Sequence, residues 1–212
     1  MKGAIVYYSS NRENPEFEAK IIADIVSKTD LPVFSVTQKP MDFGTNRCIG
    51  DVGASGFNVC RQLQVATEMA KVDYVISCEA DCLYSPDYFT FVPPKLDAIY
   101  RNTNNYVLPY GYDSFYPKDS QLAFQIAGRD FLLSRLDFLL KDQPKWDIKM
   151  RNFPKEIGEP FIEEWETFET EFPCFGIKTG DGMRKQTHHG NEATETLPYW
   201  GSAKEVRKRY GC

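Results

Sequence analysis

Residues 4–81 alternate between short apolar runs and amphipathic stretches, and this order leaves few architectures open. Residues 4–8, AIVYY, form an apolar run that stops at Ser9, Ser10 and Asn11. A short apolar run closed by polar residues reads as a buried strand. After Pro15, the segment EFEAKIIADIVSKT places Phe17, Ile21, Ile22 and Ile25 at helical spacing. Pro32 then opens a second strand, VFSV. Strand, helix and strand in this order predict a parallel βαβ unit. Farther on, residues 57–71 predict a helix with Val59, Leu63, Ala66 and Ala70 on its buried stripe, and DYVISCEAD from Asp73 predicts another buried strand, ending in acids. The fold class expected is α/β, with a mostly parallel central sheet flanked by helices.

The second half is less regular. Residues 106–110 and 121–127 read as strands, 129–141 as an amphipathic helix, and 173–178, PCFGIK, as the last core strand. Residues 144–172 show little period, and a short basic helix is expected near 202–210. With 212 residues and 42% hydrophobic side chains, one domain with its own core is expected over 1–212. The six cysteines include no CxxC pair and read as reduced thiols. The N-terminus lacks the apolar core of a signal peptide, and no apolar run approaches membrane-spanning length, so a cytoplasmic protein is expected.

Net charge is −5, which excludes a general polyanion binder. The charge is uneven. Residues 178–212 hold seven Lys and Arg against four acids, a local +3, while the other 18 basic and 26 acidic residues leave −8. The basic end suits either a phosphate-bearing ligand or a solvated surface.

Chemistry concentrates between Gly50 and Phe89. A loop with Gly50, Gly53 and Gly56 feeds a helix, and the strand that follows ends in Glu79-Ala80-Asp81. Ligands of parallel α/β sheets sit beyond the carboxyl ends of the strands. Two carboxylates there either face solvent or hold a cation, since burying both unpaired costs several kcal/mol each. Mg²⁺ or Mn²⁺ suits such oxygen ligands.

This segment resembles the nucleotide-binding half of GT-A glycosyltransferases, especially the family 2-like group. The residues that carry the resemblance are Gly53-Ala54-Ser55-Gly56, then Arg61-Gln62, Glu79-Ala80-Asp81 and Pro86-Asp87-Tyr88-Phe89, with Ser9, Ser10 and Asn11 closing the first strand. It covers residues 3–90 well and the rest loosely. Here the first acid of the pair is Glu where the family has Asp, and the helix carries Arg-Gln where Arg-Asn is commoner. The resemblance implies a GT-A fold, with a nucleotide-sugar-binding half over about 1–100 and an acceptor half with its tail over about 101–212. It implies a metal-dependent transferase moving a sugar, by default from a UDP-sugar, to an acceptor hydroxyl. Ser9, Asn11, Arg61, Glu79, Asp81, Arg184 and Lys185 are its expected donor-binding residues. Mn²⁺ or Mg²⁺ is expected on Asp81 with His188 or His189, and Glu163 or Glu164 is the expected catalytic base.

Other readings have weaker support. Gly50, Gly53 and Gly56 have the wrong spacing for a dinucleotide fingerprint, and no P-loop is present. A non-catalytic carbohydrate- or nucleotide-binding module has no evident need of two acids at a strand end. A glycan or small-molecule acceptor is expected. The basic tail, with Lys204, Arg207, Lys208 and Arg209, keeps hydroxymethylated bases in DNA as an alternative acceptor.

Overall fold

The computed structural model describes residues 1–118, 122–149, 165–180 and 192–212. The first half contains β1 (Gly3–Ser9), α1 (Pro15–Val26), β2 (Val33–Thr37), β3 (Thr45–Cys48), α2 (Gly56–Met69), β4 (Tyr74–Glu79) and β5 (Cys82–Leu83). The remainder contains β6 (Ile99–Asn102), β7 (Asn105–Leu108), β8 (Tyr116–Pro117), β9 (Gln125–Gly128), α3 (Arg129–Leu140), β10 (Trp165–Phe168), β11 (Cys174–Ile177), β12 (Thr196–Leu197), β13 (Gly201–Ser202) and α4 (Ala203–Tyr210).

Among the described residues the main sheet has seven strands in the order β10-β6-β9-β4-β1-β2-β3. Only β9 runs against its neighbours in this set; β1 pairs parallel with both β2 and β4. A smaller sheet, β5-β11-β7-β8, stands beside it.

The helices form for local reasons. At α1 the Asn14 side chain accepts from the amides of Glu16 and Phe17, and Pro15 occupies the first turn. Its buried stripe is Phe17, Ile21 and Ile25, and Ile22 lies at the margin. Ser55 caps α2 by accepting from the Asn58 amide at 3.1 Å. Strand alternation then divides the core. Ile5, Tyr7, Ile76 and Cys78 face α1 and α4, while Ala4, Val6, Tyr8 and Val75 face α2 and α3.

The predicted βαβ start, the helices and the strand before the acids all form as expected. Three strands of the main sheet, β3, β6 and β10, were not anticipated. β3 is a polar edge strand, TNRC, with no buried face to produce alternation. β6 buries Arg101 and Asn102, whose polarity hides it; the Arg101 guanidinium lies 4.1 Å from the Trp165 ring centroid on the neighbouring β10. The segment expected as a strand over 121–127 is a 3₁₀ turn, Leu122–Phe124, leading into β9.

Candidate functional site

The site lies where β1 and β4 end side by side. Tyr8 and Glu79 are register partners in that parallel pair, and the Tyr8 hydroxyl donates to Glu79 Oε1 at 3.0 Å. The Glu79 amide donates to the Tyr84 hydroxyl at 2.8 Å, fixing the strand end from below. The chain then turns through Ala80 and Asp81 into β5, which leaves the main sheet and pairs antiparallel with β11 of the smaller one. This crossing places the end of β11 beside the acids. The Ile177 amide donates to the Asp81 carbonyl at 2.7 Å, and the next residue, Lys178, donates from Nζ to Asp81 Oδ2 at 2.8 Å. Thr179 follows, and its hydroxyl donates to Oε2 of buried Glu13 at 2.6 Å. Three carboxylates, one ammonium and a tyrosine hydroxyl thus converge at one end of the sheet.

Their electrostatics follow from burial and proximity. Burial, reinforced by the charge of Asp81, pushes the Glu79 carboxyl up to about 7, with Lys178 and the Tyr8 hydrogen bond opposing. The Glu13 carboxyl is raised, first by burial and then, against the Thr179 hydrogen bond, by Asp81. Burial alone would lower the Lys178 ammonium, but the facing negative charge, Asp81 foremost, more than offsets it and holds the ammonium above its ordinary value. Lys178 therefore keeps its proton across the physiological range.

Glu79, Asp81 and Cys82 form a group of donors all within 4.8 Å of one another, close enough to hold a metal ion. The donor chemistry is restrictive. The Cys82 thiol is pushed well above its usual range by burial and then by Asp81 and Glu79, so it stays protonated and donates to Asp81 Oδ1 at 3.4 Å. A hard divalent ion is left with carboxylate oxygens. Asp81 Oδ2 already accepts from the Lys178 ammonium, so an ion there would share this carboxylate with the lysine.

The other expected donor-site residues are placed as follows. Ser9 is one step beyond Tyr8, and its Oγ accepts from the Asn11 amide at 2.9 Å. Asn11 adopts φ 50, a left-handed conformation that Asn tolerates. Its Oδ1 accepts from the amides of Gln38 and Lys39 at 2.9 and 2.8 Å, tying the end of β1 to the end of β2. Arg61 is directed away from the acids. Its guanidinium donates to the carbonyls of Leu140 and Pro144 at 2.9 and 3.1 Å, at the end of α3 and just after it. Its neighbour Gln62 reaches the strand ends instead, donating to the carbonyls of Ser9 and Val36 at 2.8 and 3.0 Å. Glu163, Glu164, Arg184, Lys185, His188 and His189 lie outside the described residues.

Tyr8, Glu13, Gln62, Lys178 and Thr179 were not expected at the site. Lys178 had a signal in the sequence. It closes the apolar run PCFGIK as the acids close DYVISCEAD, and a charge at the end of a buried strand points to the same edge of the sheet. Glu13 had none, being one acid among several before a helix.

No protein-family profile matches the chain, and no curated protein matches it in sequence. Solved structures do resemble it. Residues 1–349 of S. aureus TarS in complex with UDP-GlcNAc match with a TM-score of 0.51 at 12% identity, over 90% of this chain and 62% of that one. The inositol-1-phosphate CTP transferase from T. maritima matches with a TM-score of 0.54 at 8% identity, over 87% of this chain and 92% of that one. The bifunctional IspDF from Campylobacter jejuni has a TM-score of 0.45 at 11% identity, and this chain spans only 52% of its length. Identities this low speak to architecture and not to substrate. With its mostly parallel sheet, in which β9 is the one reversed strand among the described residues, and its likeness to TarS and to the CTP transferase, the chain has the GT-A fold that glycosyltransferases and nucleotidyltransferases share.

Proposed function

We propose that this chain is a glycosyltransferase that moves a sugar from a nucleotide-sugar donor, a UDP-sugar, to a hydroxyl of a glycan or small-molecule acceptor. The observation that carries this reading is the convergence of Glu79, Asp81, Tyr8 and Lys178 at the carboxyl ends of β1 and β4. The fold is one that in TarS holds UDP-GlcNAc. In this reading Glu79 and Ser9 face the nucleoside, and Asp81 organises positive charge at the diphosphate. The acceptor hydroxyl attacks the anomeric carbon, a carboxylate takes its proton, and the bond to the diphosphate oxygen breaks. Glu163 or Glu164 is the proposed base. Arg184 and Lys185 are proposed to add positive charge where the leaving nucleotide develops negative charge. Mn²⁺ or Mg²⁺, with His188 or His189 as a further ligand, is the cation that the sequence resemblance implies, and the acids at Glu79 and Asp81 call for positive charge at this point.

The test is release of nucleoside diphosphate from a panel of nucleotide sugars, with water or simple sugars as acceptor. Asp81→Asn is expected to lower turnover by about 10²-fold or more, in line with removal of one preorganised electrostatic partner of a transition state. Its melting temperature is followed alongside. A folded Asp81→Asn protein with wild-type turnover sinks the proposal.

A second reading, nucleotidyl transfer, is favoured by the likeness to the inositol-1-phosphate CTP transferase over 92% of that chain. In that reaction a phosphate oxygen attacks the α-phosphorus of a nucleoside triphosphate and pyrophosphate leaves. A triphosphate is commonly cradled by backbone amides of a glycine-rich loop or a helix N-terminus. Residues 10–31 contain no glycine, and the start of α1 is already occupied by the Asn14 side chain, with Glu16 and Glu18 in its first turn. Both features weigh toward the diphosphate-sugar reading. The product separates the two: nucleoside diphosphate for glycosyl transfer, pyrophosphate for nucleotidyl transfer.

A further inference from the structure

We infer that Lys178 is the resident cation of the donor site, contacting the donor diphosphate directly, so that nucleotide binding proceeds without a divalent metal ion. The inference rests on the nucleotide-sugar reading above and concerns how that same site handles charge.

Lys178 arrives at the acids by construction. β11 pairs with β5, the two-residue strand that continues from Asp81, through the register Phe175↔Leu83 and Gly176↔Cys82. The Ile177 amide is bonded to the Asp81 carbonyl, and the Lys178 amide donates to the Leu108 carbonyl at 2.9 Å. The backbone on both sides of the pair is thus held by sheet hydrogen bonds, and the 2.8 Å contact from Nζ to Asp81 Oδ2 links groups 97 residues apart in the chain.

The geometry leaves the ammonium able to bind a ligand. It has three donors, and Asp81 takes one; no second acceptor is bonded to it among the described residues. Its side chain is 17% exposed, against 6% for Asp81, so the acid is the more enclosed member of the pair and the lysine keeps some accessible surface. The pair lies at the carboxyl ends of the parallel strands β1 and β4, where ligands of such sheets sit. Lysine binds phosphate as a compact point charge. In this arrangement Asp81 aims the ammonium and does not itself touch phosphate. Lys178 already neutralises Asp81, so the resident ammonium supplies at this point the positive charge that a divalent ion would otherwise bring.

The experiment is calorimetric titration of the 212-residue chain with UDP, CDP and GDP, in EDTA and again in Mn²⁺ or Mg²⁺. The expected result is binding of at least one nucleotide diphosphate in EDTA, with affinity changed by less than about threefold on adding metal. Lys178→Met should weaken that binding by about tenfold or more, the scale of one lost hydrogen bond to a charged group, and Lys178→Arg should restore most of it. Because Lys178→Met strands the buried Asp81, the double variant Lys178→Met, Asp81→Asn is titrated beside it, and melting curves identify any protein that fails to fold. The wild-type comparison needs no variant. Wild-type binding that appears only with metal overturns the role of Lys178 while leaving the nucleotide-sugar reading intact. Absence of nucleotide binding under every condition removes that reading and this inference together.

Discussion

Glu79 shows how an acid at the end of a buried strand carries a cost to stability. Its carboxyl is raised by burial and by Asp81, to about 7 in the folded chain, against about 4.3 when unfolded. Below the unfolded value both states are protonated, and Glu79 adds no pH dependence. As pH rises from about 4.3 to about 7 the unfolded chain releases its proton first, so stability falls through this window and the full penalty remains above it. Glu79→Gln keeps an acceptor for the Tyr8 hydroxyl and removes the charge. It is expected to stabilise the protein by about 1–3 kcal/mol at pH 8 and to change little at pH 4. Urea unfolding at both pH values reports this. Wild type and variant losing stability in parallel between these values would show that Glu79 is not held protonated. Sequence reading located both acids because strand-end carboxylates are a local pattern. It could not rank them electrostatically, since their partners Tyr8 and Lys178 come from other strands.

At the scale of elements, the C-terminal segment is an anchor for the second sheet. Trp200 is 2% exposed, donates from its indole N–H to the Pro173 carbonyl at 2.6 Å and packs edge-on against Phe175 of β11. The Lys28 ammonium lies 4.2 Å from its ring centroid. Its packing makes it an anchor. Trp200→Ala should cost about 3–5 kcal/mol by the usual scale for a large core aromatic. Because Trp200 packs on β11, the same change should loosen Lys178 and weaken nucleotide binding even where the protein remains folded. Thermal unfolding and nucleotide titration of the one variant test both; a loss below about 1 kcal/mol would mean that β11 is held without it. α4 itself is bounded by a capping box at Ser202 and Glu205, which the sequence reading placed to within a residue or two.

Across the whole molecule the question is what the basic tail does. Its four C-terminal cations are not equally available. Arg207 donates to the carbonyls of Pro109 and Tyr112, and both Arg207 and Lys204 lie 3.9 Å from Asp113. These contacts hold α4 against the smaller sheet and reduce the positive charge it can present. With the body at −8, duplex DNA is expected to bind weakly, whether or not it carries hydroxymethylated bases. Fluorescence anisotropy over a salt series checks this. A log–log slope of about −3 or steeper, corresponding to three or more neutralised phosphates at about −0.9 each, would bring a DNA acceptor back. Among the described residues no helix is long and apolar enough to cross a membrane.

Local pattern by itself determined the α/β class, the βαβ start, the main helices and the acids at the end of β4, because each is written in the spacing of neighbouring residues. The GT-A resemblance rested on those same stretches. Tertiary structure alone decided which residues meet the acids. It turned Arg61 toward α3 and Gln62 toward the strand ends, although the two are adjacent on α2. It also brought Lys178 to Asp81 through the pairing of β5 with β11. Periodicity reports which face of an element is buried, but not which distant strand will lie beside it. The charge that complements Asp81 comes from such a strand, so only the folded chain could supply it.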